Sequence, residues 1–438
     1  MNRVAVAAVL AVVVLAGCVA PAVDAPGEPA EDETAEPVVD DREEPPLEVR
    51  GGTLPFEENR TLERVETMLE AELRPPVVYV EEKPDTSRVP RDPTSFYAVM
   101  GIDRPDPADS DGELRVGGVA SPMQAVYVMP EDGAPPAEIE RVFVHELVHV
   151  TQFQQDAPQR LRANVPDYHR GTTDADLARL SVMEGAAVYG SSAYTDRYDA
   201  PVEPEDELVE RLYDGAAPGT KLVWGPYHHG HAYVDERFDD PADHWTLYDD
   251  PPVTMRGVLE GSPATDALEP FDARLSAADS GWERADADVM GEYVLRQVLE
   301  TELETDRSAD AASGWTYDRK LRAEHDEADL DGYAWAIRFE GADEADAFEA
   351  AAREYLTERS ERELTDGDAA WTDGPYAFSL ESVDDRTVAI VAGNESFVTA
   401  ATVDAVGSDV RVDLEGDAGT GADGSLADRP GPTAVVAG

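Results

Sequence analysis

Residues 142–155, VFVHELVHVTQFQQ, form the most informative stretch of the 438-residue sequence. The stretch is apolar enough for a buried helix, yet it contains two of the eight histidines of the chain and a glutamate. Titratable side chains are rare in buried helices unless they are paired or bind a ligand. His145, Glu146 and His149 therefore raise two alternatives: a metal site, or histidines that simply belong to a core helix.

The spacing of these residues favours the metal site. His145 and His149 are four residues apart, which places both imidazole rings on one face of a helix, as two corners of a zinc tetrahedron require. Glu146 lies about 100° further round the helix. It is therefore not a ligand, but it is close enough to take a proton from water at the metal. This is the physical basis of the HExxH motif, so we expect zinc on the histidines and a general base at Glu146.

A catalytic zinc also needs a third protein ligand and an open position for water. The stretch 180–190, LSVMEGAAVYG, offers Glu184, a lone carboxylate among small and apolar residues on the next predicted helix. Such a carboxylate needs a partner, which a metal cation would provide. Small neighbours would also let this helix lie close against the HExxH helix. His169 is the alternative third ligand, and pairing of Glu184 with Arg179 is the alternative without a metal.

Other polar residues are candidates for supporting roles. The ligand histidines need partners for their second ring nitrogens, and Asp174 and Asp176 are candidates. Gln152, one turn beyond His149, either lines the pocket or faces solvent.

HExxH followed by a ligand glutamate on a later helix resembles the gluzincin zinc metallopeptidases. The spacing of 35 residues between His149 and Glu184 is long for that family, and an inserted loop at 157–171 would account for it. The resemblance implies a Zn²⁺ cofactor and hydrolysis of a peptide or protein substrate. In that reaction Glu146 takes the proton of the attacking water and passes it to the leaving amine.

A second resemblance follows downstream. Pro226-Tyr227-His228-His229-Gly230 is similar to the Pro-Tyr-x-x-Gly motif of the aminopeptidase branch of gluzincins. The resemblance implies that Tyr227 donates to the developing oxyanion, a role that His228 or His231 could take instead. The alternative is a helix packed against the site without chemistry. The Gly-x-Met-Glu-Asn stretch of that branch is missing, so nothing favours an aminopeptidase over an endopeptidase.

The amino terminus is typical of an exported lipoprotein. Arg3 precedes an unbroken apolar run from Val4 to Ala16, which suits a signal peptide (1–17) and is too short to span a bilayer comfortably. The run ends in Leu-Ala-Gly-Cys, which resembles a lipobox, and Cys18 is the only cysteine. We expect lipidation of Cys18 and anchoring to the outer face of the cell membrane. An ordinary signal peptide with an incidental cysteine is the alternative.

The formal net charge of −59 is extreme, and only three of the basic residues are lysines. Self-repulsion at this charge destabilises a fold, and molar salt screens it, so we expect a halophilic protein. The 42% apolar content, 16 tyrosines and six tryptophans argue against an acidic disordered chain. No basic stripe supports nucleic-acid binding.

The chain as a whole resembles haloarchaeal surface lipoproteins of unassigned activity, through the lipobox, HELVH with Gln152, the Glu-Gly helix and SGWTYDR at 313–319.

The patterns predict an α+β fold: a mostly helical, gluzincin-like zinc-peptidase core with a small edge sheet and a short C-terminal β segment. The predicted organisation is a signal peptide (1–17), a lipidated, disordered acidic tether (18–55), a catalytic domain (56–360), a β segment (361–415) and a disordered tail (416–438). Asn59 and Asn394 begin glycosylation sequons.

The predicted function is a surface zinc peptidase. The alternatives are an inactive surface protein on the same scaffold and a solute-binding lipoprotein, and the latter lacks the expected two-lobe pattern.

Overall fold

The computed structural model describes residues 47–80, 95–103, 116–262, 268–277, 280–325, 331–360, 362–363 and 370–414. The predicted signal peptide, Cys18, most of the acidic tether and the predicted tail at 416–438 lie outside the described residues. The chain divides into two compact units, 1–270 with 289–317, and 271–288 with 318–438.

The first unit is mainly helical. Its strands are β1 (Glu48–Arg50), β2 (Val77–Val80), β3 (Val116–Ser121) and β4 (Ala125–Pro130). Its helices are α1 (Glu58–Leu69), α2 (Ser95–Val99), α3 (Pro136–Gln154), α4 (Ala157–Asn164), α5 (Thr173–Arg197), α6 (Glu205–Tyr213), α7 (Pro218–Asp235), a 3₁₀ segment (Pro241–Tyr248), α8 (Met255–Leu259), α9 (Gly291–Leu299) and α10 (Thr305–Ala312).

The four strands form one sheet in the order β1-β2-β4-β3, in which only β3 is antiparallel to its neighbour. Alternate residues of β2 and β4 are buried and belong to the same core cluster as α3, as expected for a sheet with one covered face. This is the predicted small sheet. Its first strand, β1, lies within the predicted tether (18–55), so the fold begins earlier than the composition indicates.

Helices α3, α5 and α7 position the candidate site, and glycines set how closely they approach. A Cβ at Gly190 of α5 would lie 2.9 Å from Val148 of α3. A Cβ at Gly185 would lie 2.1 Å from the backbone of Gly230 of α7. Two glycines of α5 therefore serve two crossings. Gly185, one of the small neighbours of Glu184, brings α5 against α7, whereas Gly190, further along the helix, brings it against the HExxH helix.

The second unit is rich in strands. They are β5 (Ala273–Ser276), β6 (Trp282–Asp288), β7 (Trp315–His325, whose first three residues fall in the first unit), β8 (Gly332–Phe339), β9 (Arg362–Glu363), β10 (Ala370–Asp373), β11 (Tyr376–Asp384), β12 (Thr387–Gly393), β13 (Ala401–Val406) and β14 (Asp409–Leu414). Its helices are α11 (Ala342–Arg359) and α12 (Glu395–Ala400). Seven strands form the sheet β6-β7-β8-β12-β11-β10-β9, and three form β13-β14-β5.

The predicted α+β class is confirmed, but the predicted boundary at residue 360 is wrong. Strand β8 precedes that position and pairs antiparallel with β12, which follows it. Residues on the two sides of the boundary therefore share one sheet, and the C-terminal β structure is much larger than the short segment predicted. Within the described ranges, no helix has both the length and the hydropathy needed to cross a membrane.

Candidate metal centre

Three side chains predicted as ligands converge in the first unit. Helix α3 provides His145 and His149, and their Nε2 atoms lie 3.1 Å apart. Helix α5 provides Glu184, whose Oε2 lies 3.3 Å from His145 Nε2 and 3.2 Å from His149 Nε2. Among the residues that the structure describes, this is the one histidine, cysteine and carboxylate cluster with metal-ligand spacing.

The dimensions of this triangle fit a small divalent ion. Ligand atoms at about 2.0–2.1 Å from a tetrahedral zinc ion lie about 3.3 Å from one another, which matches the three observed separations of 3.1–3.3 Å. The chemistry of the donors fits as well. Two imidazole nitrogens and a carboxylate oxygen, all turned inward and buried, are a donor set that a divalent cation can join. His145, His149 and Glu184 can therefore hold a metal ion.

The charges of the three groups are strongly coupled. Burial alone would raise the pKa of Glu184, but the positive charges and hydrogen bonds of His149 and His145 outweigh it and lower that pKa to about 2. Burial likewise opposes protonation of both histidines, yet the neighbouring carboxylates raise their pKa values, that of His145 most. A buried carboxylate here thus demands positive charge, which either protons or a metal ion supply.

The other ring nitrogen of His149 is held by a buried glutamine. His149 Nδ1 lies 2.7 Å from Gln152 Oε1, and Gln152 Nε2 donates to Met183 O at 2.9 Å and to Tyr248 Oη at 3.0 Å. With its amide nitrogen donating twice, Gln152 presents its oxygen to the imidazole, so His149 Nδ1 carries the proton. That tautomer leaves the Nε2 lone pair free for a metal. Gln152 therefore supports the ligand and does not face solvent.

His145 lies beside a carboxylate that no sequence pattern indicates. Its Nδ1 lies 3.0 Å from Oε1 of Glu205, the first residue of α6. Burial opposes ionisation of Glu205, but His145, Arg141 and Ser191 more than offset it and lower the pKa. Glu205 is one of three acidic residues in the first turn of α6, where carboxylates commonly stabilise a helix end. Nothing in the sequence marked this one as different.

Asp174 and Asp176, the predicted partners of the ligand histidines, lie elsewhere. Asp174 Oδ2 is 3.0 Å from His169 Nε2, and Asp174 Oδ1 accepts from Met255 N at 3.0 Å. The side chains of Asp174 and His169 are both fully buried, away from the candidate ligands. Asp176 is exposed and pairs with Arg179. His169 is therefore not part of the ligand cluster, and Arg179 is not the partner of Glu184.

The predicted base, Glu146, is also buried, at 3% exposure. Its Oε2 has no hydrogen-bond partner within the described part of the chain. Burial raises the pKa of Glu146 to about 7, although the charges of His145 and His149 oppose this rise. A carboxyl group that exchanges its proton near neutral pH is suited to general acid–base work.

Tyr227 lies beside the cluster, as predicted. Its ring stacks on that of His145 with centroids 6.2 Å apart, and it packs against Trp224. Burial, followed by the charge of Glu184, raises the pKa of Tyr227 well above its usual value, so its hydroxyl keeps its proton. The alternative donors have other neighbours: His228 stacks on Tyr213, and His231 contacts Tyr189.

The two glycosylation candidates occupy ordinary structural positions. Asn59 is exposed on α1, and its Oδ1 accepts from Leu47 N at 2.9 Å. Asn394 caps the N-terminus of α12 by accepting from Phe397 N at 2.9 Å.

Comparison with protein families matches a part of the chain. A model described as a domain of unknown function, DUF8575, matches residues 275–406. This range lies mostly in the second unit and contains none of the ligand cluster. No curated protein matches the chain. No solved structure matches it either.

Proposed function

We propose that this chain is a zinc-dependent peptidase. The observation that carries the proposal is the 3.1–3.3 Å triangle of His145, His149 and Glu184, together with Glu146 on the helix of the two histidines, whose buried Oε2 has no hydrogen-bond partner among the described residues. A site that only stored a metal would have no use for a buried, unpaired carboxylate next to its ligands, since such a group costs stability. A general base accounts for it.

Each side chain then has a defined task. A zinc ion bound by the three ligands would polarise the scissile carbonyl and make water more acidic. Glu146 takes the proton of the attacking water and returns it to the leaving nitrogen. Tyr227, which keeps its proton, donates a hydrogen bond to the oxygen on which negative charge develops. Gln152 holds the imidazole of His149 in the tautomer that metal binding needs, and the carboxylate of Glu205 lies beside the outer ring nitrogen of His145.

The neighbouring sheet supports an extended peptide as the substrate. Among the strands that the structure describes, β3 is at one edge of the four-stranded sheet, and its Gly118 lies against the carboxylate of Glu146. The main-chain groups of an edge strand can pair with an added extended chain. A peptide bound in this way would pass directly beside the base.

One observation favours the alternative, a surface protein on this scaffold without activity. The ligands are 0–6% exposed, Glu146 is 3% exposed and Tyr227 is 8% exposed. A metal sealed from solvent stabilises a fold without catalysing a reaction. In the peptidase, by contrast, neighbouring elements have to open before a peptide can reach the site.

The proposed location is the outer surface of the cell, with the chain tethered by a lipid on Cys18. The net charge of −59 is consistent with a salt-rich exterior and gives no support to nucleic-acid binding. If Cys18 carries the anchor, native protein partitions with membranes, and Cys18→Ser releases it into the medium. Native protein that is soluble and begins at another residue would contradict the anchor.

The proposed function is tested by metal content and cleavage, measured side by side in molar salt. Wild type should contain about one zinc per chain and cleave members of a broad peptide library. Glu146→Gln should keep the zinc and lose activity by a factor of about 10²–10⁴, because only the base is removed. Wild type that binds zinc and cleaves nothing would favour the inactive scaffold. If wild type cannot be loaded with any divalent metal, the two histidines are structural residues of a core helix and the metal site is wrong.

A further inference from the structure

The carboxylate of Glu146 lies against a glycine of the edge strand. A Cβ atom at Gly118 of β3 would fall 2.4 Å from Glu146 Oε1 and 2.9 Å from its Cγ. It would also fall 2.6 Å from Cγ1 of Val142, one turn earlier on α3. Real Cβ atoms essentially never come within 3.0 Å of such atoms. Any other residue at position 118 would therefore force Glu146 to move.

Position 118 requires a glycine because there is no room for a side chain, and not because of its backbone conformation. Gly118 is not among the residues with positive φ, and it pairs with Val128 in regular antiparallel register. An alanine could therefore adopt the same backbone without strain. The flexibility that glycine gives to turns has no use in the middle of this strand, so the missing side chain itself is the feature to explain.

Within the described part of the chain, packing rather than a hydrogen bond to Oε2 has to hold the carboxylate of Glu146. Oε2 has no partner in the described ranges, while a working base must be held within about 0.5 Å of its productive position. We propose that Gly118 is a positioning residue, which leaves the space in which the carboxylate of Glu146 reaches the reacting water. The inference rests on the proposed function, since it assigns the geometry of the same base.

The test is a cycle of four proteins: wild type, Gly118→Ala, Glu146→Asp and the double variant. Gly118→Ala should lower kcat at least tenfold, with KM within about twofold and zinc content unchanged, because the base moves while the ligands stay. Aspartate is one methylene shorter, so the 2.4 Å contact of the carboxylate oxygen is lost and only the contact at Cγ remains. In the Glu146→Asp background, the same Gly118→Ala change should therefore lower kcat by a smaller factor than in wild type. The contact with Val142 is common to both backgrounds and cancels in the comparison.

Gly52→Ala is the matched control: a Cβ there would also crowd a buried side chain, at 2.9 Å from Cγ1 of Val80 in the same sheet, but it does not approach Glu146, and it should leave kcat unchanged. Melting temperatures of the four proteins give a second readout: Gly118→Ala should lower the value in wild type and lower it less in the Glu146→Asp background. Wild-type kcat in Gly118→Ala, or equal losses in both backgrounds, would overturn the inference. If wild type cleaves nothing, the proposed function fails. The melting temperatures then test the contact between Gly118 and Glu146 by themselves. Equal changes in melting temperature on Gly118→Ala in both backgrounds would refute the role of Gly118.

Discussion

His145 Nδ1 lies 3.0 Å from Glu205 Oε1, so the first turn of α6 lies directly behind a candidate ligand. A carboxylate in this position makes the imidazole more basic and therefore a stronger metal ligand. It also ties a third helix to the site, since α3 and α5 provide the three ligands themselves. The relationship therefore predicts that metal affinity depends on a residue that does not touch the metal.

Glu205→Gln should weaken zinc binding about 10–100-fold, the usual effect of removing such a partner. The amide keeps the size of the side chain and removes its charge. Glu207→Gln is the matched control, because Glu207 is exposed in the same helical turn. Competition with a chelator of known affinity, in molar salt, measures the difference. Equal affinities for wild type and Glu205→Gln would show that Glu205 has no part in metal binding.

Glu184→Ala should abolish stoichiometric metal binding, because it removes one of three ligands. His169→Gln should retain about one metal per chain, since His169 pairs with Asp174 outside the ligand cluster. Glutamine preserves a donor for the buried aspartate, so that the control protein stays folded. Metal analysis after gel filtration compares the two variants. Full metal content in Glu184→Ala would make the third-ligand assignment wrong.

Tyr227→Phe should lower kcat about 10²–10³-fold with little change in metal content, because only the hydrogen bond to the developing oxyanion is lost. His231→Gln is the informative comparison, since His231 is the alternative donor but contacts Tyr189 rather than a ligand ring. It should retain wild-type kcat. The reverse pattern, with Tyr227→Phe active and His231→Gln inactive, would transfer the role to the histidine.

The parts of the site that follow from local spacing could be predicted from the sequence. His145, Glu146 and His149 belong to one helix, so their geometry depends only on the helical repeat. Glu184 was predictable for another reason, because a lone carboxylate among apolar residues needs a partner wherever the helix packs. Glu205 was not, because its contact depends on where the chain turns after α5. Sequence spacing contains no information on that turn.

The fold shows the same limit. The hairpin of β11 and β12 and the strands β2, β4 and β14 can be recognised in the sequence, since short alternating or β-branched runs mark them. Strand β8, GYAWAIRF, is buried along its whole length and shows no alternation, as expected for a strand covered on both faces. Strand β6, WERADAD, is almost entirely charged or small. Neither pattern distinguishes a strand from a helix or a loop, so most of the seven-stranded sheet was not predicted.

Acid should destabilise the first unit partly through His244, which is fully buried in the 3₁₀ segment. Its Nδ1 donates to Pro241 O, and its Nε2 has no hydrogen-bond partner within the described residues. Burial lowers the pKa of His244 to about 4, because a proton on Nε2 would place an unpaired charge beside Trp245 and Tyr248. The folded protein therefore resists a proton that the unfolded chain accepts.

The direction of the pH effect follows from that difference. Above pH of about 6.5, His244 is neutral in both states and has no effect. Between about pH 6.5 and 4, only the unfolded chain binds the proton, so the free energy of unfolding falls, by up to about 3 kcal/mol in total. Asparagine can keep the hydrogen bond to Pro241 and cannot be protonated. The stability of wild type relative to His244→Asn, from denaturant unfolding in molar salt, should therefore decline by about 1.4 kcal/mol per pH unit in the middle of this range. A difference that does not change with pH would show that His244 titrates normally in the folded protein.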